Sequence, residues 1–334
     1  MRFVVSWVAT CALLAACGGS DDNPAGGIPG SGDAVKSYLA PANYVSVAQK
    51  VLQTHSYVLN VNDLVLGINI MEPETQAKLL HQPLRRFSHF PATVFGEQAV
   101  GVAQVQEQPC FGGGKQVLDY NDANNNGVDD AGDSVSLNAQ ACSLGNVVLH
   151  GQASMVLNRL SGDPAGYPYG YAASLGYSNF TLEGPGQRAH SNGKWSVDFS
   201  AQSETSEDYL LRTPSLSLSW ALGGKDSSYT LQDYEVSLKV RPTPGWELLQ
   251  IASASGTLVD SALDGQSLAV KTTLPFERLN SEAYFNRGTV TVTDRSGAQV
   301  RATVTSGTTV TIELDADANG SYETSVDKLW SEIF

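Results

Sequence analysis

The chain has 334 residues, with 20 Lys and Arg against 34 Asp and Glu, for a formal net charge of −14. So acidic a balance argues against nucleic-acid binding and against electrostatic docking on anionic lipid. It fits a soluble exported protein and, locally, cation binding, and the length suits one large domain or two ordinary ones.

Residues 1–16 do not belong to the fold. Arg2 supplies a positive start, Phe3 to Leu14 form a short apolar run, and Leu14-Ala15-Ala16-Cys17 follows. The run is too short and wrongly flanked for a membrane span and reads as a secretory signal. It closely resembles bacterial lipoprotein signals, a resemblance that implies cleavage before Cys17, acylation of Cys17, and a membrane partner reached through the lipid anchor. Gly18 follows the cysteine, which in the same logic implies the outer membrane, at its periplasmic face or the cell surface. Residues 17–33 are then the lipidated cysteine and a Gly/Ser/Pro/Asp tether, reaching on the order of 20 Å.

Residues 34–98 read as an N-terminal helical segment. Pro41 suits a first helical position and Asn43 a cap. Tyr44, Val47, Ala48, Val51, Leu52, His55 and Val58 recur at helical spacing, which predicts a long helix within 41–67. A second, short helix is expected from Pro73 to Leu80, with Glu74 in its first turn favouring the helix dipole. Residues 83–98 look irregular.

From about Ala99 to Phe334 the period changes to two, the mark of antiparallel β-structure. Val100 and Val102 alternate ahead of Cys110, Gly112-Gly113-Gly114 makes a turn, and Val135, Leu137, Ala139 and Ala141 alternate up to Cys142. Further strands are expected at Leu149–Leu157, Tyr171–Leu182, Trp195–Phe199, Leu216–Leu222, Tyr234–Val240 and Leu268–Val270, separated by Gly, Pro, Asn and Asp clusters. The last meander is the clearest. Val290, Val292, Val300, Ala302, Val304, Val310, Ile312 and Leu314 can share one face, with Thr, Arg and Glu on the other, as in a sheet wet on one side.

Of the four cysteines, Cys11 lies in the signal and Cys17 is the lipid site. Cys110 and Cys142 remain, an even pair in an oxidising compartment, and are expected to form a disulfide. Closing that loop should contribute about 3–4 kcal/mol. In a three-strand meander the two outer strands lie about 9–10 Å apart. That exceeds disulfide range, so the chain must leave the ladder there, and the Gly112–Gly114 run would allow it.

Between these strands lies Asp122-Ala-Asn124-Asn-Asn126-Gly127-Val128-Asp129-Asp130-Ala-Gly-Asp133. Oxygen-bearing side chains fall at positions 1, 3, 5, 9 and 12 of a twelve-residue calcium loop, with glycine at 6 and the Val128 carbonyl at 7. The expected ligands are Asp122, Asn124, Asn126, Val128, Asp130 and Asp133. Asp315, Asp317, Asn319, Gly320, Ser321 (carbonyl) and Glu323 begin the same pattern, but position 12 is Val326, which cannot ligate. Calcium would be structural, pinning strand ends. The plainer alternative is a metal-free Asx-rich turn. The two loops suggest an internal echo between residues 99–200 and 215–334.

Taken together, the Leu14–Cys17 motif, the Ala/Val-rich helix, Cys110 before a Gly run, N-x-N-G-x-x-D-x-G-D, Leu149–Ala153 and the closing D-x-D-x-N-G-x-x-E with Trp330 resemble a family of uncharacterised lipoproteins from Gram-negative bacteria. The resemblance implies a cell-envelope location and a β-rich fold, and brings no activity with it.

Other chemistry is thinly represented. His55, His81, His89, His150 and His190 show no ligand spacing. Two S-x-x-K matches, at Ser191–Lys194 and Ser325–Lys328, lack companion motifs. Tyr167, Tyr169, Tyr171 and Tyr177 could stack on sugars or pack a sheet edge. No continuous lipid-facing band supports an outer-membrane barrel. The expected fold is mainly β: antiparallel meanders forming a sandwich, or a curved half-open sheet covered by the first helix. The expected function is non-enzymatic binding at the envelope, of a protein, glycan or lipid. A carrier of an apolar ligand would need a cavity between helix and sheet, and a hydrolase would need titratable groups converging in a cleft.

Overall fold

A computed structural model describes residues 37–59, 104–126, 128–144, 147–163, 166–185, 187–222 and 225–334. The signal, Cys17, the tether, the second helix expected from Pro73, the irregular stretch at 83–98, His81 and His89 lie outside these residues.

Fourteen strands form one antiparallel sheet in chain order, without a crossover. They are β1 (Gln104–Pro109), β2 (Lys115–Asn121), β3 (Ser134–Leu144), β4 (Val147–Gly162), β5 (Tyr169–Gly184), β6 (Gln187–Ser203) and β7 (Ser206–Leu222). There follow β8 (Lys225–Pro242), β9 (Leu248–Asp260), β10 (Ser267–Leu279), β11 (Arg287–Thr293), β12 (Gln299–Ser306), β13 (Thr309–Asp315) and β14 (Thr324–Leu329). β1 and β14 are the two free edges, so the sheet does not close into a barrel. Because neighbours alternate in direction, loops after even-numbered strands lie at one end of the sheet and loops after odd-numbered strands at the other. We call these the even end and the odd end.

Alternation explains the strands. In β11–β13, Val290, Val292, Val300, Ala302, Val304, Val310, Ile312 and Leu314 are all buried, as the pattern predicts, while Thr291, Arg301, Thr303, Thr311 and Glu313 between them are half-buried on the other face. The central strands run longer than their apolar stretches suggest. β6 spans 17 residues rather than Trp195–Phe199 alone, because Ser, Asn and Asp on its outer face keep pairing where hydrophobicity fades.

A line of bulges crosses the long strands. The register slips between Ala139 and Cys142, His150 and Gln152, Tyr177 and Phe180, Gly193 and Ser196, and Gln232 and Glu235. Left-handed backbone sits along the line at Ala141, Gly151, Asn179, Gly193 and Asp233. Gly151 is required there: a Cβ would collide with the Asn179 carbonyl. Extra residues on one strand of a pair bend that strand and increase its twist, which curls a sheet.

The curl closes on helix α1 (Tyr44–Leu59). Its Tyr44, Val47, Ala48, Val51 and Leu52 are buried at the expected i, i+3, i+4, i+7 spacing and belong to one apolar cluster with β5 to β13. The helix touches β8 on one side and β12 and β13 on the other. In a flat sheet β8 and β12 would lie about 19 Å apart, wider than a helix of about 10 Å diameter, so the sheet wraps around it. Of the two architectures expected, the curved half-open sheet with a covering helix is the one found.

The chain just before α1 and the middle of the helix are each tied. At the odd end, Asp294, in the β11–β12 turn, accepts hydrogen bonds at Oδ2 from Ser37 Oγ (3.0 Å), Tyr38 N (2.7 Å) and Leu39 N (3.0 Å). At the even end, β14 leads into a short helix, α2 (Trp330–Ile333), and Gln49 Nε2 donates to the Glu332 carbonyl at 2.9 Å. Trp330 is buried beneath it, its indole N–H donating to the Phe285 carbonyl at 3.1 Å.

Candidate metal centres

The first Asx-rich loop joins β2 to β3 at the even end, and the second joins β13 to β14 at the odd end. β2 is even-numbered and β13 odd-numbered, so the two loops face opposite ways and the suggested echo does not place them side by side.

In the first loop the carboxylates turn inward and organise the backbone. Asp122 and Asp133 are both buried. Asp122 Oδ1 accepts from the backbone N–H of Asn124 and Asn126, each at 3.3 Å, and Asp133 accepts from Ala123 N (2.9 Å) and Asp130 N (2.8 Å). The amides of Asn124 and Asn126 both donate to Asp130 Oδ2 at 2.6 Å. Their own oxygens accept the N–H groups of Asn126 (3.0 Å) and Val128 (2.8 Å). The loop is thus largely closed by its own hydrogen bonds. One atom is left over: Asp130 Oδ1 is buried without a hydrogen-bond partner. Such an atom is costly unless something positive meets it. Beside the loop, burial and the Asp129 carboxylate push the Tyr120 hydroxyl pKa well above its usual value. Gly127 lies outside the described residues.

The second loop is shorter and brings its carboxylates closer. Asp315, Asp317 and Glu323 each present an oxygen within 4.8 Å of the others. Asp315 is 1 % exposed, and its two oxygens accept from Asn319 N (3.1 Å) and Gly320 N (2.9 Å). Asn319 Oδ1 accepts from Ser321 N at 2.7 Å, and Glu323 Oε2 from Ala316 N at 3.1 Å. Position 12 is already sheet: Val326 pairs with Ile312 in β14. The adjacent Asp327 accepts from Thr311 Oγ1 at 2.6 Å on the outer face and does not join the cluster. Three carboxylates with no nitrogen or sulfur donor among them suit a hard cation.

Cys110 and Cys142 form the expected disulfide, with Cα atoms 5.3 Å apart. The Gly112–Gly114 turn leaves the β1–β2 ladder and folds onto β3. Gly112 N donates to the Ser143 carbonyl and Ser143 N to the Gly113 carbonyl, both at 3.0 Å. Gly114 lies against the Ala141 carbonyl so closely that a Cβ would clash.

Tyr169, Tyr171 and Tyr177 are buried, so they pack the interior and do not present a stacking platform; Tyr167 alone is exposed. Two of them join a cluster that no motif announces. Tyr169 and Tyr171 on β5 flank Phe199 on β6, which meets Tyr209 of β7 in a tilted ring contact, 4.8 Å between centroids. Tyr209 donates to Glu207 Oε2 at 2.8 Å, inside the sheet. Burial, then the Glu207 carboxylate, pushes the Tyr209 hydroxyl far above its usual pKa. Nothing in the spacing of these residues could reveal the group, because only strand register assembles it.

His190 Nδ1 lies 3.0 Å from Thr181 Oγ1. The helix face that an apolar cavity would need is packed into the core. Two grooves described on the sheet lie on its outer, polar face. No protein family, curated relative or solved structure matches the chain.

Proposed function

We propose that this chain is a lipid-anchored cell-envelope protein that acts by binding, with structural calcium in its hairpin loops. The metal reading rests chiefly on the convergence of Asp315, Asp317 and Glu323. The orphaned Asp130 Oδ1 gives Asp122, Asn124, Asn126, Val128, Asp130 and Asp133 a similar claim. Asn319 and the Ser321 carbonyl would complete the second set. A donor set made of oxygen alone favours calcium over zinc. The anchor reading rests on Leu14-Ala15-Ala16-Cys17 alone.

Calcium that binds only the folded chain raises its melting temperature. A thermal melt of residues 18–334 should therefore move upward in millimolar calcium and return with chelator. Asp315→Asn should remove the part of the shift due to the second loop. An unchanged melt would end the metal reading. For the anchor, the full chain should sediment with membranes and Cys17→Ser should not; equal partitioning would end that reading.

A further inference from the structure

One outer-face groove, about 410 Å³, lies along the line of bulges on β1 to β6. Register places Asp119, Ser136, Ser154, Gly176 and Lys194 in one row across β2 to β6. Asn138, Gln152 and Ser178 form the neighbouring row. Gly176 keeps the floor low, since a Cβ there would come 2.9 Å from Ser154 Oγ.

What sets this groove apart is that its polar side chains are unused. Among the described residues, Asp119, Ser136, Asn138, Gln152, Ser154, Ser178 and Lys194 make no side-chain hydrogen bond or ion pair. The second outer groove is the opposite case. There Arg301 pairs with Glu313 at 2.7 Å, Thr311 with Asp327 at 2.6 Å, and Thr289 with Thr303 at 3.4 Å. One groove satisfies its own polar groups, while the other leaves an acid, a base and two carboxamides free, an asymmetry between the two that favours a ligand in the latter.

We propose that this groove binds an extended, zwitterionic oligopeptide across the strands. Asp119 would receive the ammonium end and Lys194 the carboxylate end, while Asn138 and Gln152 present N–H and C=O groups to the peptide bonds. Asp119 and Lys194 are four strand spacings apart, about 19 Å, the length of about six extended residues. A saccharide is disfavoured because no exposed ring lines the groove: Tyr177 borders it, but its side chain is buried on the inner face. The site shares no residue with either Asx-rich loop, so it stands apart from the calcium reading.

The test is isothermal titration of the full chain in detergent with the peptide Ser-Ala-Ser-Ala-Ser-Ala. Free termini should give saturable binding. N-acetylation, C-amidation, Asp119→Asn and Lys194→Gln should each weaken it about tenfold. The acetylated peptide should lose nothing further on Asp119→Asn, because both changes remove one contact. Both residues are exposed, so the variants should melt with the parent, which is checked alongside. No saturable heat at millimolar peptide overturns the proposal. So does binding indifferent to both substitutions, or saturable binding of a chito-oligosaccharide in place of the peptide.

Discussion

Two buried aspartates show how one side-chain type is put to opposite uses. Burial alone would raise the pKa of Asp294, but the Ser296 hydroxyl and the N–H groups of Leu39, Ser296 and Tyr38 outweigh it and hold the carboxyl below its usual range. A depressed folded pKa means stability that is present above the unfolded value, about 3.9, and lost as pH falls through the folded one. Asp294→Ala should cost about 2–3 kcal/mol at neutral pH, and less in acid once the carboxyl is protonated in the fold, by urea denaturation. Asp260 is wholly buried, with Lys50 Nζ 3.5 Å away. Desolvation raises its pKa, offset only in part by the Ala262 N–H and Lys50. Here the sign reverses. The protonated form is favoured in the fold, so this contribution is full below the unfolded pKa and fades as pH rises through the folded one. Asp260→Asn should keep the cap to Ala262 and flatten the loss of stability as pH rises above the unfolded carboxyl value, about 3.9. A variant whose pH–stability curve overlays the parent would contradict this.

At the scale of elements, legibility followed periodicity. The β11–β13 meander is readable because eight apolar residues alternate without interruption. β9 goes unread because its inward residues at the centre are Ala252 and Ala254, and small side chains carry little signal. β14, Thr-Ser-Val-Asp-Lys-Leu, is a short, mostly polar edge strand. The helix is recognisable from its stripe, and the Asx-rich loops from their ligand spacing. The groove, the Glu207 cluster and the bulge line were not legible, since each depends on register between strands far apart in sequence. The bulges are nonetheless testable one at a time. Gly151→Ala forces a Cβ into left-handed backbone and against the Asn179 carbonyl. It should cost about 2–3 kcal/mol by chemical denaturation, whereas Gly265→Ala, with open space around it, should cost less. Reducing Cys110–Cys142 should lower stability by about 3–4 kcal/mol, and a melt unchanged by reductant would mean the Gly turn alone holds that corner.

For the whole molecule, the simple strand order has a consequence for how the protein is made. Every sheet contact joins strands consecutive in the chain, so hairpins can form one after another with little loop-closure cost. The helix is different. Its ties reach Asp294, Glu332 and strands β12 and β13, more than two hundred residues downstream. The segment synthesised early is therefore the one seated last, and until β12–β14 exist it has no finished cradle. Pulsed hydrogen exchange during refolding should show amides of β4–β8 protected before those of α1; simultaneous protection would exclude this order. By the same reasoning, loss of α2 should free the helix and expose its Val47–Leu52 face to protease while the early hairpins stay intact. The short helix α2 would then act as a latch that holds α1 in its cradle once β12–β14 are in place.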